Sequence, residues 1–271
     1  MILITGGSGF LGEKLIENLY PKKIRVVARN EGLLVKLKQK FPKIETLTGD
    51  VADEWIAKKA MRGVREVYHL AAMKGVDIAE QQVFTAINTN IIGTFNLLLE
   101  SLNQKPKLFL FISTDKAAQV KGVYGATKFL CERLMQEAET INPDTKYRTV
   151  RYGNVLYSTG SVLCKWKEAM QQRRGVKITE PNMTRFFWTR DDAIKLIFSC
   201  IRKAKDATPY IPKMKAMRMG DLLEAMMEKY GRVKVEIIGN RGGENLHETM
   251  DGITYSNQVP QYTVKEIKKL I

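Results

Sequence analysis

The sequence predicts an α/β protein, a doubly wound parallel sheet followed by a small C-terminal α+β lobe. Two observations carry most of that expectation. An apolar strand over residues 1–5 runs directly into the glycine-rich turn Gly6-Gly7-Ser8-Gly9-Phe10-Leu11-Gly12 and an amphipathic helix over 10–19. Short apolar runs then alternate with amphipathic stretches as far as residue 155, the rhythm of βαβ units whose sheet is covered on both faces. A third observation sets the boundary. Past residue 155 the rhythm loosens into helices separated by short strands and turns rich in Pro, Gly and Asn. The expected division is a Rossmann-type nucleotide-binding domain over 1–155, carrying the catalytic residues, and a mainly substrate-binding lobe over 156–271, from which the chain can re-enter the first domain.

At 271 residues the chain is long enough for one large α/β domain or a nucleotide domain with an appended lobe. Hydrophobic residues at 44% and charged residues at 27% are ordinary for a soluble globular protein. No apolar run approaches the roughly 18–20 residues of a membrane-crossing helix, and the chain opens on a strand rather than a signal peptide. A cytoplasmic location without membrane insertion is expected. The three cysteines (Cys131, Cys164, Cys200) and two histidines (His69, His247) have no disulfide or zinc spacing. Reduced thiols and no metal are therefore expected. The net charge of +15 is spread over several segments and nowhere interleaves with aromatics as a base-stacking platform does. It points to anionic small molecules, a dinucleotide and a sugar nucleotide, rather than to nucleic acid.

Each element then has its reason. Glycine in the first turn gives tightness, backbone approach to a pyrophosphate and close packing of helix on strand. The helix after it aims its first N–H groups at the phosphates. Gly6, Ser8, Gly9, Phe10 and Gly12 are cofactor-binding candidates on this ground. A second strand over 23–28 ends at Arg29. A carboxylate there suits the ribose 2′-hydroxyl of NAD, and a cation suits the 2′-phosphate of NADP. Arg29 favours NADP, with Lys36 and Lys38 as helpers and Glu31 dissenting. A helix over 31–39 and a strand over 44–48 lead to Gly49-Asp50-Val51. Asp50 is placed to accept from the adenine amino group or to cap a helix over 53–61, with Val51 beside it. After a fourth strand over 66–70, Ala71 and Ala72 are small enough to let the chain pass beneath the cofactor. A long helix over 84–102 carries Asn90, which either braces the site through a neighbouring strand's backbone or faces solvent.

The reactive groups cluster at a fifth strand over 108–112 and the helix that begins near Tyr124. Tyr124 and Lys128 stand at i and i+4, on one helix face. A lysine ammonium beside a phenol favours phenolate, a base for a hydroxyl proton near neutral pH. Asp115 and Lys116 add a carboxyl and an amine at the strand tip, where open α/β sheets bind ligands. The bland alternatives are a surface Tyr/Lys pair and a capping Asp beside a surface Lys. A sixth strand over 147–152 and helices over 161–171, 190–203, 220–229 and 261–271 complete the chain.

The stretches TGGSGFLG (5–12), HLAAMKGV (69–76), TNIIGT (89–94), STDKAA (113–118), YGATK (124–128), RYGNV (151–155), GSV (160–162), MTRFF (183–187) and RGGENLHE (241–248) together resemble the inverting UDP-N-acetylglucosamine 4,6-dehydratases, a group of extended short-chain dehydrogenase/reductases. They run through nearly the whole chain in the family's order. STDKAA discriminates, because non-inverting 4,6-dehydratases carry an Asp-Glu pair where this chain has Asp115-Lys116. The resemblance implies NADP-dependent dehydration of UDP-GlcNAc with C5 inversion, giving a UDP-2-acetamido-2,6-dideoxy-L-hexos-4-ulose for deoxy-amino-sugar biosynthesis, and a homo-oligomer. It implies that Tyr124, with Lys128, takes the C4 hydroxyl proton as the C4 hydride leaves, that Lys116 removes the C5 proton, and that Asp115 donates to the departing C6 hydroxyl. Hydride then returns to C6 and C5 is reprotonated from the opposite face. Met73, Lys74 and Thr114 would face the sugar, Asn154, Arg185 and Arg241 would hold the diphosphate, Val162 would line the nucleotide site, and Glu244 would accept from the uridine ribose. For Arg185 and Arg241 a structural ion pair competes.

The chain also departs from that family. Its G-S-R-G-S-V reads Tyr157-Ser158-Thr159-Gly160-Ser161-Val162 here, its K-H-V-P reads Lys74-Gly75-Val76-Asp77, and its R-P-G-E-K-L-H-E reads Arg241-Gly242-Gly243-Glu244-Asn245-Leu246-His247-Glu248. The catalytic set is untouched. Rival readings are a nucleotide-sugar 4-epimerase or 4-ketoreductase using the same Tyr124/Lys128 pair, and a non-catalytic NADP-sensing or scaffold protein, against which the survival of that pair counts.

Overall fold

The computed structural model describes residues 1–239 and 244–271. In chain order its elements are β1 (Ile2–Thr5), α1 (Phe10–Leu19), β2 (Ile24–Ala28), α2 (Glu31–Lys40), β3 (Glu45–Thr48), α3 (Glu54–Met61), β4 (Glu66–His69), α4 (Val76–Gln81), α5 (Val83–Ala86), α6 (Gly93–Gln104), β5 (Leu108–Thr114), α7 (Val123–Ile141) and β6 (Lys146–Tyr152). There follow β7 (Asn154–Val155), α8 (Val162–Gln171), β8 (Val176–Ile178), β9 (Thr184–Trp188), α9 (Arg190–Lys203), β10 (Pro209–Tyr210), β11 (Ala216–Arg218), α10 (Met219–Tyr230), β12 (Val235–Ile237) and α11 (Val264–Leu270). Two compact units result. One comprises Met1–Arg151 with Ile194–Tyr210, the other Tyr152–Ala193 with Ile211–Ile271.

The first unit is built on a sheet that has seven strands among the described residues, in the order β10-β6-β5-β4-β1-β2-β3. Its pairs β1–β2, β1–β4, β2–β3, β4–β5 and β6–β10 are parallel. Strands covered on both faces need apolar residues at successive positions, and Leu3-Ile4 in β1 and Phe109-Leu110-Phe111 in β5 are buried accordingly. The chain winds outward from β1 to β3, then resumes at β4 on the other side of β1. That reversal opens a crevice at the carboxyl ends of β1 and β4. The glycine turn, residues 70–74 and the tip of β5 all lie at that end of the sheet.

Three local expectations are corrected. Strand β5 runs two residues further than expected, so Ser113 and Thr114 belong to it. The long helix is not one α-helix: α5 and α6 are joined by a π turn over Ile87–Ile92. The Asn90 carbonyl there accepts from the Thr94 hydroxyl at 2.5 Å and the Cys131 thiol at 3.1 Å, and such side-chain intrusion opens the α-helical ladder. Helix α3 is capped by Asp53, which accepts from the Trp55 and Ile56 N–H groups. Asp50 instead accepts from the Ala52 N–H at 3.0 Å. Helix α4 and the edge strand β10 had no clear sequence signal.

The second unit is α+β. Strand β9 pairs antiparallel with β11 and parallel with β7, and β8 pairs parallel with β12. Its core gathers Trp166, Met170, Phe187, Leu223 and Met226 from α8, β9 and α10. The terminal helix α11 starts at a capping box, with Thr263 and Glu266 each bonding the other's backbone.

Candidate active site

The cofactor candidates sit where the sheet changes direction. Gly6 has φ +67° and a Cβ on it would meet the Ala71 nitrogen at 2.8 Å, so only glycine lets β1's turn and residue 71 approach. Gly9 is the N-cap of α1 and no side chain caps that helix, whereas Asn30 and Asp53 cap α2 and α3. Arg29 and Asp50, at the ends of β2 and β3, form an ion pair of 3.6 Å. Val51 is a core residue whose carbonyl accepts from Asn96.

At the tip of β5 the Thr114 hydroxyl donates to Asp115 Oδ1 at 2.8 Å, and Lys116 Nζ donates to the same oxygen at 3.1 Å. Asp115 is 1% exposed, and its Oδ2 has no hydrogen-bond partner among the described residues. Helix α7 packs directly on the turn that follows, because a Cβ on Gly125 would meet the Lys116 carbonyl oxygen at 2.4 Å. Its N-cap, Gly122, offers no side chain. Glu80 from α4 supplies the acceptor instead, taking the Val123 N–H at 2.6 Å. Tyr124 and Asp115-Lys116 are thereby brought together.

Burial pushes the Tyr124 phenol up to about 12; Lys116 and a hydrogen bond from Thr114 work against that rise, and Asp115 adds to it. Lys116 is the cation that opposes the rise. Lys128 is 4% exposed, its ammonium 3.9 Å from the centroid of the Phe111 ring. Burial brings it down to about 8, against the fields of Cys131 and Glu132.

Asn90 takes the bracing role. Its Oδ1 accepts from the Met73 N–H at 2.7 Å, and its Nδ2 donates to the Met73 carbonyl at 3.0 Å and to Thr127 Oγ1 at 2.9 Å. Thr127 in turn donates to the Tyr124 carbonyl. His69 joins the same buried system, its ring nitrogens 2.6 Å from the Thr5 hydroxyl and 2.9 Å from the Thr94 hydroxyl. Burial first, then Lys128, lowers it to about 3, so it is a neutral strut. Met73 is half-buried and Lys74 exposed.

In the second unit Asn154 pairs in register with Phe187, and Val162 opens α8. The Arg185 guanidinium donates to the carbonyls of Thr184, Leu246 and Asn245 and lies 3.8 Å from Glu248. This is the structural arrangement that competed with diphosphate binding. Glu244 Oε2 is buried with no hydrogen-bond partner among the described residues. Arg241 lies outside the described residues. Sequence reasoning missed Gly125, Thr127, Glu80 and the trio Ser113, Glu132 and Arg151. Only Glu132 had a readable signal, standing one helical turn past Lys128 on the Tyr124 face.

The family model for the polysaccharide biosynthesis proteins matches residues 2–269. The chain belongs to that family. An uncharacterized membrane protein of Methanocaldococcus jannaschii is 39% identical, with 92% of this chain covering 79% of that protein. A UDP-N-acetylglucosamine 4,6-dehydratase (inverting) of Campylobacter jejuni is 36% identical and a UDP-glucose 4-epimerase of Rickettsia akari 32%; each match spans 92% of this chain and 76% of the relative. The solved structure of Pen from Bacillus thuringiensis superposes with a TM-score of 0.87 at 33% identity, covering 91% of this chain and 80% of that one. This member of the polysaccharide biosynthesis family therefore stands among nucleotide-sugar dehydratases and epimerases on a Rossmann-type fold. No helix among its described residues is long and apolar enough to cross a membrane.

Proposed function

We propose that the protein removes water from UDP-GlcNAc across C5 and C6, with NADP as resident cofactor and inversion at C5. The observation that carries this reading is the contact of Lys116 Nζ with the buried Asp115 carboxylate, 3.1 Å long, one helix start away from Tyr124. Elimination needs a neutral amine and a protonated acid. An ion pair and a neutral acid–amine pair differ by one proton moved along that contact. Tyr124 takes the C4 hydroxyl proton, with Lys128 beneath it on the same face. Lys116 then takes the C5 proton, acidified by the new 4-ketone. Asp115 gives its proton to the leaving C6 hydroxyl, so that water departs and the pair returns to its ionic form. Thr114 holds Asp115 in place and, with Met73 and Lys74, faces the sugar.

The residues present fit a dinucleotide. Gly6 gives the tight turn at the end of β1, α1 lacks a side-chain cap, and Arg29 stands at the end of β2 for a 2′-phosphate, with Asp50 at the adenine. These residues would hold a nicotinamide dinucleotide, which would supply a hydride acceptor and donor with no net oxidation. Asn154, Val162, Arg185, Arg241 and Glu244 are assigned to the nucleotide by family resemblance. Location in the cytoplasm and self-association belong to the same reading. Exposed Phe95 and Leu99 on α6 and Phe129 and Leu130 on α7 support the latter.

The test is incubation with UDP-GlcNAc in D₂O without added cofactor, followed by mass spectrometry and proton NMR. A product lacking one water, carrying one deuteron at C5 and L-configured, is expected. Lys116→Ala should abolish elimination while sparing cofactor binding. The epimerase reading, which the Rickettsia relative favours, predicts no loss of water, and its appearance would replace the dehydratase.

A further inference from the structure

Glu132 is buried and Arg151 half-buried; both are charged and unused by the chemistry above. Glu132, 2% exposed on α7, receives a fork from Arg151 at the end of β6, with Nε to Oε1 at 2.7 Å and Nη2 to Oε2 at 2.5 Å. Its Oε1 also accepts from the Ser113 hydroxyl of β5 at 2.5 Å. Three elements meet on one carboxylate. A largely buried pair of this kind is weak evidence for stability, since well-packed apolar side chains commonly do as well, but it does fix geometry through short charge-assisted bonds.

The places it joins are informative. Ser113 directly precedes Thr114, Asp115 and Lys116. Glu132 lies one turn after Lys128 and two after Tyr124. We propose that the Ser113–Glu132–Arg151 cluster is a positioning clamp that holds the acid and amine of the β5 tip in register with the phenol and lysine of α7. This rests on the dehydratase reading, in which the two pairs act on neighbouring carbons of one sugar. Tyr124 and Lys128 serve the oxidation at C4, whereas Asp115 and Lys116 serve the elimination at C5 and C6. Loosening the clamp therefore uncouples the second step from the first.

Ser113→Ala removes one bond and leaves the Arg151 fork whole. Its turnover of UDP-GlcNAc should fall by roughly tenfold, the loss of a charge-assisted hydrogen bond, with KM nearly unchanged. Reduced cofactor, read by its near-ultraviolet absorbance, should build up when substrate is added, because C4 oxidation outruns elimination. Ser113→Cys, of similar volume and weaker donor strength, should fall between the two and melt close to wild type, which guards against a folding defect in the alanine variant. Turnover like wild type in both variants, or a loss in which reduced cofactor does not accumulate, overturns the clamp. A wild-type protein that removes no water from UDP-GlcNAc overturns the dehydratase reading and the clamp's role with it.

Discussion

Two tyrosines with lysines nearby, one in each unit, sit in different electrostatic surroundings. Burial raises the Tyr124 phenol; Lys116 and a hydrogen bond from Thr114 oppose that rise, and Asp115 adds to it. Tyr157 is raised too, first by burial and then by its bond to Tyr230, whose hydroxyl lies 2.9 Å away. Its lysine, Lys167, sits over ring faces, 5.7 Å from the centroid of Tyr157 and 5.3 Å from that of Tyr230. A cation over the ring attracts the quadrupole; it does little to draw the proton from the oxygen. The difference lies in the groups that act on the phenol. At Tyr124 they are an amine and an acid, whereas the Tyr157 hydroxyl bonds to another phenol.

The largest effect expected from that contrast is on turnover. Tyr124→Phe should lower it by about 10²–10⁴-fold, the usual worth of a positioned general base. Tyr157→Phe should leave it near wild type. Steady-state assays on UDP-GlcNAc decide this, and a comparable loss in both variants would erase the distinction.

The lysines separate by stability. Lys128 is lowered by burial from 10.5 to about 8. Below about 8 it is protonated in both folded and unfolded chains, and the folded state carries a penalty of about 3 kcal/mol for the desolvated charge. Between about 8 and 10.5 the folded chain gives up the proton while the unfolded chain keeps it, so stability rises with pH. Lys128→Met should therefore melt above wild type at neutral pH, lose activity, and see its advantage shrink across that window. Lys167→Met should instead lose up to about 1 kcal/mol with its contact to the two rings. Thermal melts across pH sharpen the comparison, and a Lys128→Met protein that melts lower at pH 7 would break it.

Much of this was legible beforehand where local chemistry sets the structure. The Gly6 turn, α1, α9 and the placement of Asp115, Lys116, Tyr124 and Lys128 all follow from short-range rules. What was not legible depends on pairs distant in sequence. The clamp needs residues 113, 132 and 151, and the strut needs 5, 69 and 94. The π turn at Ile87–Ile92 answers to Cys131, on another helix. Helix α7 starts at a glycine because Glu80 caps it from α4. For Arg185 the sequence left two readings open, and the carbonyls of residues 245 and 246 that surround it could not be foreseen from its own neighbourhood.

The smallest effect isolates the backbone at Tyr157. Tyr157 has φ +56°, a left-handed conformation that costs a side-chain-bearing residue about 1–2 kcal/mol, and the family resembled has glycine there. Its ring packs against the core of the second unit, so the strain is offset by burial and by the bond to Tyr230. Tyr157→Phe keeps ring and strain and loses only that bond, for a fall of about 1 kcal/mol. Tyr157→Gly relieves the strain but takes away the ring, whose burial is worth about 1.5–3 kcal/mol, so it should melt below Tyr157→Phe. Denaturant unfolding of the two variants gives the order. A glycine variant as stable as wild type would mean that strain outweighs packing, and that this tyrosine is held in place for something other than stability.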